Sequence, residues 1–380
     1  VAGGSGGGIA RGGTSGGGRK KPANPYLNWE WWWQLNDDRF LLLKKKLRKV
    51  DADTTNADTF LGDDAGNTDL DIAEVTKKQI RKEIIPTLIF SLKDPYYDAR
   101  AGAVIALGKV AKSDDTDVLY RIIDMLKDES NLVRESACLA LGLLGHPEGI
   151  QGLREVCANT PVGRRYVGRN VVFNRTRSFA LFGMGILGSR GIPEEVGLPD
   201  YLIGIVKNKQ TNKDVRVAAA LALQLTNAKT PIPQLIDLFK DRELDPYVKA
   251  HVGVALGKLK ARSSAQILAK GMDHKNEHIS RSAAIALGLV VNPENKKLVN
   301  LLRRKASAGG SRSTRNFSLI SLGEVGSVEG TKTLLERLKR GQAMDKAYAA
   351  LGLGIQGFNG KLRFKSEVAE IVYKEYKDTK

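Results

Sequence analysis

Cysteine and histidine are scarce in this chain of 380 residues, with two of the first and four of the second. That is too little sulfur for a disulfide scaffold, and too little imidazole for a His-rich metal centre or an enzyme that depends on several histidines. Long apolar runs are missing too. No uninterrupted stretch approaches the roughly 18 residues that a membrane-spanning helix needs, although the 42% hydrophobic share permits a substantial core. A soluble chain is the expectation. Carboxylates are in deficit, 42 Asp/Glu against 60 Lys/Arg, for a formal charge of +18. Such an imbalance attracts acidic proteins, nucleic acid or anionic surfaces.

Residues 1–80 carry 12 Lys/Arg against 11 Asp/Glu, so the excess lies beyond them. Residues 1–18 are mostly Gly with Ser, Thr and Ala, too poor in apolar surface to offset the entropy of ordering, and 1–24 are read as a disordered tether. The chain begins at Val1, which fits removal of an upstream piece such as an export signal. Region 25–80 holds Trp29, Trp31, Trp32 and Trp33, followed by Phe40, Leu41, Leu42 and Leu43, the densest apolar patch in the chain. Two uses compete for it: plugging the open end of a stack of repeats, or docking a partner, since Trp is favoured in interface hot spots. The seven aspartates from Asp51 to Asp71 lack the spacing and closing Glu of a calcium loop and read as a solvated linker.

Beyond residue 80 the chain repeats itself. The pattern R-x-x-A-x-x-A-L-G recurs from Arg100 to Gly108, Arg134 to Gly142, Arg175 to Gly183, Arg216 to Gln224, Lys249 to Gly257, Ser280 to Gly288, Arg315 to Gly323 and Met344 to Gly352. Its small residues sit three apart with Leu beside the last, which puts them on one helical face. A second apolar-periodic stretch precedes each copy, as in Val118, Leu119, Ile122, Ile123 and Leu126, so each unit reads as a helical hairpin. Asp94-Pro95, Thr230-Pro231, Asp245-Pro246 and Asn292-Pro293 read as caps placed before a first-turn proline. One such hairpin cannot bury both faces, so the copies must stack. The terminal Gly costs up to about 1 kcal/mol relative to Ala within a helix, and close approach of the next helix is the expected compensation.

This signature and its period resemble HEAT repeats, particularly the short HEAT-like type first associated with phycobilisome lyases. The resemblance covers roughly residues 80 to 358 and implies an all-α fold, a right-handed alpha-alpha superhelix of about eight hairpins. The solenoid is placed at 81–358 and a C-terminal capping helix at 359–380, near Ser366 to Tyr376. The resemblance also implies a ladder of Arg and Asp side chains between repeats, which is the reading of Arg100, Arg134 and Arg216. The tether, the W-x-W-W segment and the array together resemble predicted exported proteins of planctomycete-type bacteria, which suggests an envelope or periplasmic setting.

Several motifs imitate chemistry. Gly183 to Gly188 and Gly352 to Gly357 both match G-x-G-x-x-G, but that fingerprint needs a strand before it and a helix after it, and both matches fall late in a helix. HEAT-like deoxyhypusine hydroxylases hold iron with His-Glu dipeptides; here Pro147, Val252, Lys275 and Ile279 follow the four histidines. HEAT-like DNA glycosylases use tryptophans of the array, and all four Trp precede it. Cys138 and Cys157 read as buried thiols, and His274 and His278 as solvated loop and helix residues. No cofactor or metal is expected, and no catalytic residue.

What remains is charge. From Val156 to Pro193 there is no carboxylate but six arginines, and from Asn295 to Gly323 none against seven basic residues. The stretches Asn159 to Asn170 and Arg303 to Arg315 read as long links projecting from one edge. Arg164, Arg165, Arg169, Arg175, Arg177, Arg303, Arg304, Arg312 and Arg315 then form a basic ridge, with Tyr166 and Phe173 as stacking groups. The expected function is a non-catalytic protein–protein interaction scaffold that binds an acidic partner or organises an assembly through a solenoid surface. The alternatives are a nucleic-acid or polyanion binder using the ridge, and a bilin-lyase-like role implied only by the repeat's name. A solvated, solubilising surface is the reading without a partner.

Overall fold

A computed structural model describes residues 77–191, 197–308, 311–362 and 364–378, which fall within one compact unit, Asp69–Lys380. The tether, the Trp29 to Trp33 segment and the acidic linker lie outside these residues. Every regular element described is helical, and the helices form an α-solenoid of eight pairs. The pairs are α1 (Ile85–Ser91) with α2 (Tyr97–Val110), and α3 (Thr116–Asp124) with α4 (Asn131–Leu144). In the third, α5 (Gly149–Ala158) is followed by a short extra helix, α6 (Pro161–Val167), before α7 (Asn174–Gly188). Next come α8 (Leu198–Lys207) with α9 (Lys213–Thr226), and α10 (Ile232–Lys240) with α11 (Pro246–Lys258). The last three are α12 (Ala265–Gly271) with α13 (Glu277–Val290), α14 (Lys296–Ala308) with α15 (Arg312–Val325), and α16 (Val328–Arg340) with α17 (Ala343–Phe358). A closing helix, α18 (Lys365–Asp378), packs on α16 through Val368 and Ile371.

The eight signature copies all lie on second helices, and these stack directly on one another from α2 to α17. Equivalent positions meet across the stack. A Cβ added to Gly108, Gly257 or Gly288 would lie 2.8, 2.6 or 2.6 Å from the Cα of Ala140, Ala286 or Ser321 respectively, each two residues before the next anchor. Backbone cannot yield as a side-chain tip does, so this contact explains the glycine.

The same contact corrects the alignment in two copies. Gly142 meets Gly183, Gly185 meets Ala222, and Gly323 meets Gly352. The structural anchors of the third and eighth repeats are therefore Gly185 and Gly354, with Arg177 and Lys346 as opening cations instead of Arg175 and Met344. In both G-x-G matches the first glycine fills the small-residue position and the second is the anchor. Gly354, with no repeat after it, meets nothing within 4 Å. Gln224 stands at the anchor of the fourth repeat, where α9 and α11 share the thinnest contact in the stack.

Of the four Pro-linked start signals, only Asp245 caps as expected, accepting from the amides of Tyr247 and Val248 ahead of Pro246. Asp94 and Asn292 instead close turns two residues on, accepting from the amides of Tyr96 and Glu294, and the helices start later. Thr230 precedes Pro231, the residue just before α10. A short polar side chain can satisfy a turn as readily as a helix end, which is why sequence alone misplaced these starts.

Candidate anionic-partner interface

The cations that open the second helices do not line a ridge. Arg100 is buried and grips Asp128 of the next link with two bonds of 2.7 and 3.0 Å, while its other nitrogen donates to the carbonyls of Asp94 and Pro95. The bond to Asp128 holds the guanidinium's pKa above its ordinary value. Arg134 is buried and donates to the carbonyls of Asp128 and Glu129, and Arg216 to that of Val206. Burial lowers the pKa of Arg134, Arg216 and Lys249. Arg177 donates to the carbonyl of Cys157 at 2.6 Å. Arg134, Arg177 and Arg216 thus close their own hairpins, and Arg100 also ties its repeat to the next.

The third repeat supplies a different surface. Its link is not extended but folded into α6, capped by Thr160, whose hydroxyl accepts from the Gly163 amide, and ended by Gly168 at φ 60°. Gly163 sits against the end of α5, where an added Cβ would lie 2.8 Å from the Val156 nitrogen. Asn159 ties the link closed, its carboxamide oxygen accepting from the Val172 amide and from Arg164 Nε. On this fixed platform Arg164, Arg165 and Arg169 are exposed. Arg165 makes no ion pair or side-chain hydrogen bond among the described residues. Arg169 lies 6.0 Å over the Phe173 ring, which is 49% exposed, and reaches the Glu129 carbonyl at 3.4 Å. Tyr166 is half-buried beside them. Arg175 pairs with Glu135 at 2.9 Å and lies over Phe179. Burial raises the Glu135 pKa, and Arg175 opposes the shift.

The second expected link does not exist as drawn. Arg303 and Arg304 lie inside α14, and only residues 309–311 separate it from α15. Arg303 is half-buried and spent on Thr333 and Asn300. Arg304 and Arg312 are exposed, Arg315 half-buried. Four helix spacings of about 8–10 Å separate the third repeat from the seventh, so no compact ligand touches both groups. The links between them carry Asp241, Glu243, Asp245 and Asp273, and α13 opens on Glu277; these interrupt any continuous basic edge. The structure thus leaves Arg164, Arg165 and Arg169 together and exposed on the third-repeat link, with Arg175 committed to Glu135 and the seventh-repeat cations apart.

Sequence reading missed a second array, on the second-helix layer. Lys213 lies 5.4 Å over the Tyr247 ring, Tyr247 is edge-on to His278 at 5.6 Å, and Arg281 reaches His278 Nδ1 at 3.4 Å. Arg281 in turn lies 5.7 Å over Phe317, which is edge-on to Tyr348 at 5.7 Å. Each contact after the first joins residues two before, or one or two after, the opening position of its repeat. The spacing was legible in principle once the copies were superposed. Nearby, His251 is buried and its pKa driven down to about 4 by desolvation, with Arg281 adding to the shift. Partial burial lowers that of His278 as well, with Arg281 acting in the same direction.

Cys138 and Cys157 are free and buried, and burial pushes the Cys157 thiol up to about 11, so neither is a ready nucleophile. Among the described residues, no helix is long and apolar enough to cross a membrane.

The sequence pattern of HEAT repeats matches residues 85–168 and 202–288, covering α1 to α6 and α8 to α13. The chain is a HEAT-repeat protein. A curated relative of this HEAT-repeat protein, Protein YibA of Escherichia coli K12, is 25% identical over an alignment of 219 residues that covers 52% of this chain and 77% of that protein. Among solved structures, the CpcE and CpcF complex of phycocyanin lyase from Nostoc sp. PCC7120 covers 76% of the chain and 92% of its own at 18% identity and a TM-score of 0.37. Human deoxyhypusine hydroxylase in complex with glycerol covers 74% and 98% at 15% identity and a TM-score of 0.32.

Proposed function

We propose that this HEAT-repeat protein is a non-catalytic interaction scaffold that engages an acidic partner through the arginine platform of its third repeat. The observation that carries the reading is the pinned α6 link. It presents Arg164, Arg165 and Arg169 to solvent from a stretch with no carboxylate, while the arginines at the repeat openings are consumed internally. A guanidinium fork on a fixed backbone loses little entropy when it meets a carboxylate. One observation favours nucleic acid as the second reading: Phe173 is half exposed beside Arg169, an arrangement that could stack a base.

The test compares binding of an acidic protein, duplex DNA and single-stranded RNA to the wild type and to R164Q/R165Q/R169Q at low and raised salt. Exposed charge pairs contribute about 0.2–1 kcal/mol each, so the triple variant should bind the acidic protein about three- to a hundredfold more weakly, with an unchanged circular dichroism spectrum. Unchanged affinity would sink the platform. Tighter, steeply salt-dependent binding to DNA or RNA, lost in F173A, would move the reading to nucleic acid.

A further inference from the structure

The last second helix, α17, presents an apolar face to solvent. On the other seven second helices the anchor position is buried, and the position three before it is buried or half-buried. Gly354 and Leu351 hold these positions on α17 and are exposed, Leu351 to 50%. Met344 at 45%, Ala347, and Phe358 at 81% extend the face, and every exposed residue within Ala343–Phe358 is apolar. The two charged residues of the helix are withdrawn, Asp345 buried and Lys346 half-buried.

The closing helix decides what can cover this face. α18 lies on α16 as α16 lies on α14, so it fills the place of a ninth first helix and leaves the place of a ninth second helix beside α17. A whole hairpin from another molecule would meet α18 there, whereas a single helix fits. We infer that α17 of a second copy takes this place, packed antiparallel about a two-fold axis, so that the protein forms a weak dimer through the C-terminal end of its stack.

Side-chain size selects the occupant and its direction. Met344, Ala347, Leu351, Gly354 and Phe358 are spaced alternately three and four residues apart, the seam of a paired helix. With the axis between Leu351 and Gly354, an antiparallel second α17 sets Leu351 of each copy against Gly354 of the other, and Phe358 against Ala347. Each large side chain meets a small one, which fills space at close approach, and Met344 falls at the rim. A parallel pairing would set Phe358 on Phe358 and Gly354 on Gly354, crowding one layer and emptying the next. The antiparallel pair is isologous and closes on itself, as in the commonest soluble homo-oligomers.

This face offers an acidic ligand no exposed cation, and its burial is driven by the release of water from apolar surface. The charge of +18 on each copy opposes pairing, so salt tightens the dimer by screening that repulsion. Salt has the reverse effect on an anionic ligand at the third repeat. One helix pair is smaller than a standard interface of roughly 1,600 Å², which places dissociation at about 10–100 µM and leaves a monomer at about 1 µM.

Sedimentation velocity of the full chain from about 1 to about 200 µM, at low and raised salt, measures the pairing. The average mass should rise from one chain toward two and stop there, and should do so at lower concentration in raised salt. L351E sets a carboxylate against the other helix and should weaken pairing about tenfold or more. F90E, at a position 79% exposed on α1, and R164Q/R165Q/R169Q should leave it unchanged. A mixture of A347C and F358C chains should form the mixed disulfide faster than either chain links to itself; Cys138 and Cys157 are buried and do not compete. A monomer at every concentration, growth past two chains, wild-type pairing in L351E, or loss of pairing in F90E overturns the inference. A347C linking to itself as fast as to F358C overturns the antiparallel register. Should L351E fail to fold, L351Q replaces it, with about a threefold loss expected and no loss again overturning the dimer.

Discussion

Gly142→Ala puts the stacking logic to a direct test. In α4 the new Cβ would fall 2.9 Å from the Cα of Gly183 on α7, and nearer still to its carbonyl oxygen. Both are backbone atoms, so relief requires moving one helix away from the other by several tenths of an ångström. Alanine returns about 1 kcal/mol of helix propensity. Against that, overpacking a tight core costs about 1–3 kcal/mol, occasionally more, and lifting a helix weakens dispersion contacts along its length. The helix interface extends well beyond the one new methyl, so the upper part of the range applies and the net loss is about 1–2 kcal/mol. Two controls carry the opposite sign. Gly204 in α8 and Gly354 in α17 each meet nothing within 4 Å, so G204A and G354A should gain about 0.5–1 kcal/mol. Urea unfolding followed by circular dichroism at 222 nm reads all three. A G142A protein as stable as G204A would refute the claim that close helix approach fixes the anchor glycines.

Asp128→Ala should cost about 3–5 kcal/mol, because it leaves the Arg100 guanidinium buried without its carboxylate; a loss under 1 kcal/mol in the same urea assay would contradict the ladder. His251 has a folded pKa of about 4 against 6.5 unfolded, so the unfolded state binds more protons between those values. The stability it contributes is present above pH 6.5 and is lost as pH falls toward 4. Unfolding at pH 7, 5.5 and 4.5 should show a decline of about 1–3 kcal/mol that is flatter in H251Q, and identical slopes would exclude the effect. Gln224 is buried with neither amide atom hydrogen-bonded among the described residues. Gln224→Met should therefore raise stability by about 1 kcal/mol, and a lower thermal midpoint would show that the amide has a role of its own.

The helical stack was legible in the sequence because its information is periodic. Eight copies of small residues at helical spacing specify a face, and the anchor glycine specifies what that face touches. Register was less legible in the third and eighth copies. Gly183 and Gly185, like Gly352 and Gly354, both satisfy the pattern, and only the neighbouring helix distinguishes the small-residue position from the anchor. Of the basic ridge, the sequence shows only where the charge lies. Composition marks carboxylate-free stretches but not whether a guanidinium is consumed by backbone carbonyls, as in Arg177, or left to solvent, as in Arg165. Residues 303 to 308 continue α14 because nothing before Gly309 breaks the helix, so the expected seventh link is mostly helix. The Lys213 to Tyr348 contact series joins residues on five helices, and no local window of sequence contains that adjacency.

Hydrogen–deuterium exchange with and without a saturating acidic polypeptide tests the central claim most directly, since it shows which surface the partner covers. Slowed exchange within residues 159–175, with the helices of the other repeats unchanged, is the predicted result. Protection confined to α1, α3 or the closing helix, or none at all despite measurable binding, would contradict it.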